Sequence, residues 1–234
     1  MPAVPFTAAE FRRGVRAGLP HGVSIFFYGM AFGLVAAQAS FGIARAVVTS
    51  AAIYSGTAQL AAVNLMQTGH ATVATLAATI LIINARYLLF SAALRPWLGQ
   101  TAPLRAYGSL LLGDANWMVV MKAIAEGEED RAFLLGTGAP MMVGWLSGTA
   151  FGAGAGGFLP DPQALGLDLV LAAFAAAMMT AMVKSPASLV PVAVGSGVAL
   201  AIGFGAGPGW AVVGAGLAGA VVAAALWQPA GGPP

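Results

Sequence analysis

Ile80-Leu81-Ile82-Ile83-Asn84-Ala85-Arg86-Tyr87-Leu88-Leu89-Phe90 closes an apolar run that begins near Ala71 and holds no other charge. A guanidinium at the centre of a membrane helix costs about 2.5–3.5 kcal/mol, so a chain keeps one there where it meets a carboxylate, a carbonyl or water. Asp114, in Gly113-Asp114-Ala115-Asn116-Trp117, is the candidate partner. It is the one carboxylate deep in a predicted span, because Asp168 stands at a helix start.

The rest of the chain agrees with a membrane setting. Charged residues make up 8%, hydrophobic residues 59%, and the mean hydropathy is +0.85; soluble domains carry about 25% charge. The apolar runs are long and continuous, as helices require, rather than the short alternating segments of a barrel. The reading is therefore an all-α, polytopic integral membrane helical bundle. Cysteine is absent, so no disulfide or thiolate metal site is expected. A net charge of +2 is too small and scattered for nucleic acid. The first apolar run follows Arg12, Arg13 and Arg16 and is too long for a cleavable signal, so it reads as the first span.

At about 20 residues per span, the pattern predicts about 7–8 transmembrane helices. They fall near Ala17–Gln38, Ala44–Met66, Ala71–Leu94, Leu104–Ala125, Phe133–Phe158, Leu167–Val183, Ala187–Ile202 and Gly209–Trp227. Residues 1–13 form a short polar tail, 14–228 a single transmembrane domain, and 229–234 a C-terminal tail. With the N-terminus inside, Arg12, Arg13, Arg16, Lys122, Arg131 and Lys184 fall inside, and Arg45, Arg95 and Arg105 outside. A faint repeat sets Gly18-Leu19-Pro20 against Gly138-Ala139-Pro140, and Ala31-Phe32-Gly33 against Ala150-Phe151-Gly152. Two repeats with broken helices would place a site at their interface.

Thr72, Thr75, Thr79 and Arg86 share a face of the third span, either lining a hydrated path or, for the threonines, bonding to their own backbone. Asn84 points elsewhere. In Tyr54-Ser55-Gly56-Thr57-Ala58-Gln59, Gly56 marks either close helix packing or an unwound point. Gln59 discriminates, since a long amide in lipid serves a binding site better than packing. A carboxylate such as Asp114 is pulled between desolvation, which favours its neutral form, and a nearby cation, which favours its charged form. The alternative is a static Arg86–Asp114 pair that only fixes helix register. His21 reads as interfacial and His70 as a loop residue, and no metal-ligand spacing is present. Trp97, Trp210 and Trp227 suit interface anchors, whereas Trp117 and Trp145 line a cavity or pack in the core.

The ordered set Leu19-Pro20, Ala31-Phe32-Gly33, Tyr54-x-Gly-x-x-Gln59, Asn84-x-Arg86-Tyr87-Leu88-Leu89-Phe90 and Asp114 resembles the AzlC-type large subunit of branched-chain amino-acid exporters, over roughly Gly14 to Trp227. The resemblance implies a multi-pass secondary transporter of the bacterial cytoplasmic membrane that exports valine, leucine, isoleucine and sometimes methionine. It also implies proton antiport, a small hydrophobic AzlD-type partner subunit, no cofactor and no enzymatic activity. By carry-over Gln59, Arg86 and Asp114 match the family's polar positions, and Tyr54 and Gly56 the surrounding motif. Phe27, Ala115 and the stretch Leu171-Ala172-Ala173-Phe174 depart from it. With Asn84 and Trp117, these residues form the expected substrate-binding and translocation set, Asp114 also carrying the coupling proton. The competing readings are a transporter or channel for another small polar solute, and a non-transporting assembly subunit. A lipid-acting enzyme is discounted, because one embedded Arg and one embedded Asp make no catalytic set.

Overall fold

The computed structural model describes residues 5–67, 71–99, 111–156, 186, 189–203 and 208–226, which are helical and contain no strand. They belong to two compact units, Met1–Leu171 and Ala172–Pro234. The first holds α1 (Ala8–Gln38), α2 (Ile43–Ile53), α3 (Gly56–Gln67), α4 (Val73–Asn84), α5 (Arg86–Leu98), α6 (Asp114–Ala125) and α7 (Ala132–Ala155). The second holds α8 (Leu189–Gly203) and α9 (Pro208–Leu226), which pack antiparallel through small residues, Gly195 against Ala215 and Gly219 against Pro191. The sixth expected span, Leu167–Val183, lies outside the described residues, as do Asp168, His70, Arg105 and Lys184.

The spine of the first unit is the α1–α7 pair. A Cβ on Gly22 would lie 2.7 Å from the Pro140 carbonyl oxygen, and one on Gly29 2.5 Å from that of Trp145. From the other side, Gly136, Gly144, Gly148 and Gly152 abut the backbone of Phe11, Gly22, Phe26 and Met30. Partners advance together along both chains, so the helices run parallel and in backbone contact throughout. Close approach of this kind maximises dispersion contacts. The matched segments Gly18-Leu19-Pro20 and Gly138-Ala139-Pro140 lie side by side in this pair, Gly18 against Thr137 and Pro140.

Both helices start at one end of the unit, and one carboxylate ties them there. Thr7 caps α1 by accepting the Glu10 N–H at 3.2 Å. Asp130 accepts the Thr7 N–H (2.9 Å), the Thr7 hydroxyl (2.7 Å) and the Ala132 N–H (2.9 Å) at the start of α7. The Arg131 N–H donates to the Pro5 carbonyl, Arg13 pairs with Glu128, and the Trp97 indole N–H donates to the Glu128 carbonyl at 2.7 Å. We call this the clamp end.

The run read as a second crossing is instead a hairpin. Tyr54 adopts left-handed backbone (φ 45°, ψ 41°) and ends α2, and α3 begins at Gly56. α3 then turns back: the Gln59 amide donates to the Ser50 hydroxyl at 3.0 Å, and Val63 joins Phe32, Ala36 and Ala46 in one apolar cluster towards the far end. The expected single helix over Ala44–Met66 is thus corrected to two half-length helices whose shared tip sits at mid-depth. Left-handed backbone reverses the chain there without a proline or asparagine to announce it.

The third expected span is one bent path. α4 and α5 meet at Ala85 with a bend of 40°. The Ala85 N–H bonds to the Ile82 carbonyl at 3.3 Å, a tightened turn that lets the axis change direction. α5 reaches the clamp end, where Arg131 lies over Trp97 at 4.9 Å. Arg95 therefore belongs with the chain start, not opposite it, and the inside/outside assignment is corrected on that point. α6 begins at mid-depth with Asp114 in its first turn rather than within a span, and it too runs to the clamp end, where Lys122 pairs with Glu126. Among the described residues, α1 alone is long and apolar enough to cross a membrane, and the bent α4–α5 pair would make a second crossing.

Candidate functional site

Three helices begin and two end around Arg86: α3, α5 and α6 start at Gly56, Arg86 and Asp114, and α2 and α4 stop at Ile53 and Asn84. Each start exposes N–H groups without intrahelical partners and the positive pole of a dipole, and each stop exposes carbonyls. The breaks thus gather backbone donors and acceptors at mid-depth.

The Arg86 guanidinium occupies this junction. Its Nη2 lies 3.1 Å from Asp114 Oδ2, donates to the Thr57 hydroxyl at 3.2 Å, and lies 3.5 Å from the Tyr87 hydroxyl. The Tyr87 hydroxyl in turn lies 3.5 Å from the Tyr54 carbonyl, so the α5 start is held against the hairpin tip. Nε of Arg86 is buried with no hydrogen-bond partner. The Arg86 and Asp114 side chains are 34% and 38% exposed, so the pair is reachable from a cavity or cleft rather than sealed in packing.

Aromatic rings close the junction. The Tyr28 ring lies where a Cβ on Gly56 would come within 2.6 Å, and the Tyr54 ring lies 3.4 Å from a Cβ built on Gly113. Gly56 is therefore the residue that admits Tyr28 to the tip. One turn along α5 and α6, Phe90 and Trp117 stack with centroids 4.5 Å apart and planes 14° apart. Apolar clusters flank the polar centre on both sides. Phe32, Ala36, Ala46 and Val63 lie towards the far end, and Leu94, Leu98, Val120 and Phe133 towards the clamp end.

Of the residues expected from sequence, the structure brings Tyr54, Gly56, Arg86 and Asp114 together. Asn84 ends α4 beside them, its Oδ1 buried without a partner, and the Trp117 indole N–H is likewise unpartnered. Gln59, 2% exposed, faces another way: its amide bonds Ser50, whose hydroxyl lies 3.0 Å from that of Thr149 on α7. It braces the two arms of the hairpin and ties them to the spine. Thr72 and Thr75 form a capping box at the start of α4, bonded to each other and to the local backbone. Trp145 is core, set between Tyr28 and Phe32.

Sequence reasoning missed Tyr28, Thr57 and Tyr87. Three of the chain's four tyrosines meet at this junction, and that scarcity was the available signal. Among the described residues, no group of three His, Asp or Glu side chains could hold a metal ion.

No curated protein and no solved structure matches the chain. Residues 20–159 match the family model described as AzlC protein, a stretch that holds every side chain placed around Arg86. On that match over more than half its length, the chain belongs to the AzlC family.

Proposed function

We propose that this protein is a multi-pass secondary transporter of the bacterial cytoplasmic membrane that exports branched-chain amino acids, and methionine, by proton antiport together with a small AzlD-type subunit. The observation that carries the reading is the Arg86–Asp114 pair at 3.1 Å, set where five helix ends meet between two apolar clusters. An aliphatic amino acid asks for two opposite charges side by side and an apolar surround. Arg86, through its free Nε edge and the nearby helix starts, receives the substrate carboxylate. Asp114 receives the ammonium, and it takes a proton when the substrate has left. Ammonium and proton then compete for one carboxylate, which is the logic of exchange. Phe90, Trp117 and Tyr28 supply the apolar wall.

The outward faces support a bilayer setting. Val73, Leu81, Leu88 and Leu89 are 70–86% exposed, a surface that lipid covers and water does not. Charge gathers at the clamp end, where Arg12, Arg13, Arg95, Lys122 and Arg131 lie, whereas Arg45 stands alone on the other side among the described residues of this unit. The bias supports a cytoplasmic clamp end.

The test is efflux of preloaded radiolabelled valine and methionine from cells expressing the chain with and without the small subunit. Wild type should export. Arg86→Ala and Asp114→Asn should each slow export at least about tenfold, the scale expected for removing one charge-assisted hydrogen bond to the substrate. Membrane-inserted protein that moves neither amino acid with its partner present overturns the reading and shifts the weight to another small solute or to an assembly role.

A further inference from the structure

We propose that Arg86 is a two-way latch: it holds the α2–α3 tip through Thr57 and the start of α6 through Asp114, and release of one or the other opens the site to opposite ends of the protein. The proposal rests on the transporter reading for its purpose and on geometry for its content.

The two tips belong to different seals. The α2–α3 hairpin contributes Ala46 and Val63 to the apolar cluster at the far end, and Tyr54 and Leu60 pack against that cluster. α6 contributes Val120 to the cluster at the clamp end, and Trp117, Met121 and Ile124 pack against it. Neither arm of the hairpin crosses the unit, so its tip can swing without breaking a crossing helix, pivoting on the Ser50–Thr149 contact that ties the hairpin to α7. The start of α6 lacks a side-chain cap; Asp114 ties it to Arg86, and the buried Asn116, which accepts from the Thr137 hydroxyl and donates to the Leu111 carbonyl, ties the same turn to α7, so its release is a pivot about Asn116.

Arg86 sits at the one bend in the α4–α5 path, and a single nitrogen, Nη2, serves both tips at 3.2 and 3.1 Å. A carboxylate arriving at the Nε–Nη2 edge of the guanidinium shares Nη2 with these bonds and weakens them, which makes the ligand itself the switch. Gln59 and Ser50 stand on opposite arms at equal distance from the tip, and their bond joins the arms into one piece, which the Ser50–Thr149 contact holds on α7. Gln59 is accordingly a positioning residue.

The chain has no cysteine, so single cysteines can be read without background. The topology arm places cysteine at Gln38, Gln67 or Glu126, all exposed, and labels with a membrane-impermeant thiol reagent from each side. The expected result is Gln38→Cys and Gln67→Cys labelled from the same side and Glu126→Cys from the other. A hairpin demands this, and a continuous second span forbids it.

The access arm uses Ser55→Cys, buried at the tip. Adding Asp114→Asn should raise its labelling from the clamp-end side roughly tenfold, and adding Thr57→Val should raise it from the far side by a similar factor. Thr57→Ser keeps the hydroxyl and should restore protection. Gln38 and Gln67 on opposite sides, or the same side favoured by both variants, or unchanged protection in variants that elute as folded protein, overturns the latch. Labelling reads access and not flux, so failure of valine efflux leaves this result standing, and the reverse also holds.

Discussion

A methyl group is a large object at the hairpin tip. In Gly56→Ala the new Cβ would meet the Tyr28 ring, and either the ring leaves the junction or the tip moves. The expected outcome is folded protein with efflux reduced about tenfold or more, measured beside Gly197→Ala. At Gly197, in α8, a Cβ meets nothing within 4 Å, and alanine should hold or raise thermal stability by up to about 1 kcal/mol. The same contrast explains what was legible in the residues. Arg86 and Asp114 stood out because an apolar chain keeps few buried charges, and they are indeed paired. Thr57, Tyr28 and Tyr87 did not, because hydroxyl-bearing residues cost little in a helix and sit there for many reasons. Gln59 stood out for a sound reason, the cost of a buried amide, yet its Nε2 serves as a brace between two helices, while its Oε1 is buried without a partner.

At the scale of elements, apolar length announces burial and does not announce direction. Residues 44–66 have the length and character of a crossing, and only the backbone at Tyr54 reveals that they fold back. The bend at Ala85 and the start of α6 at Asp114 are equally silent, since neither is marked by proline. The faint repeat, by contrast, does mark helices in lateral contact, α1 and α7. Their interface makes a prediction of its own. At Gly148 a Cβ would press on the Phe26 and Met30 backbone, which cannot yield as a side chain does, so Gly148→Ala should cost about 1–3 kcal/mol. Gly154→Ala, whose Cβ meets only Ile43 Cδ1 at 3.7 Å, should cost little. Thermal melts of the two variants in one detergent, read by loss of the monodisperse peak, make the comparison.

Across the whole first unit, polar effort is concentrated at two levels: the junction around Arg86 and the clamp end. The clamp organises both spine helices through one buried carboxylate, and Asp130→Ala leaves the Thr7 and Ala132 donors without it. Each donor so orphaned costs on the order of 1–3 kcal/mol, so the variant should melt well below wild type. Far from the junction, it should keep the relative export rates of valine and methionine, which efflux from the surviving folded protein would check. The sequence marked residues 126–131 as a polar connection; that one of them is the shared cap of two helices could not be read there, because its partner Thr7 stands in the opening segment of the chain.

That shared cap also dictates an order of biosynthesis. Thr7 and Pro5 leave the ribosome well before the groups that hold them, Asp130 and Arg131, which follow only after α6 has been made. At about 5–20 residues per second, the first helix waits on the order of ten seconds for its anchor and for the glycine face it packs against. During that interval the α2–α3 hairpin can cover one side of α1, but its glycine face stays without α7, so the insertion machinery, and not the folded protein, guards that face.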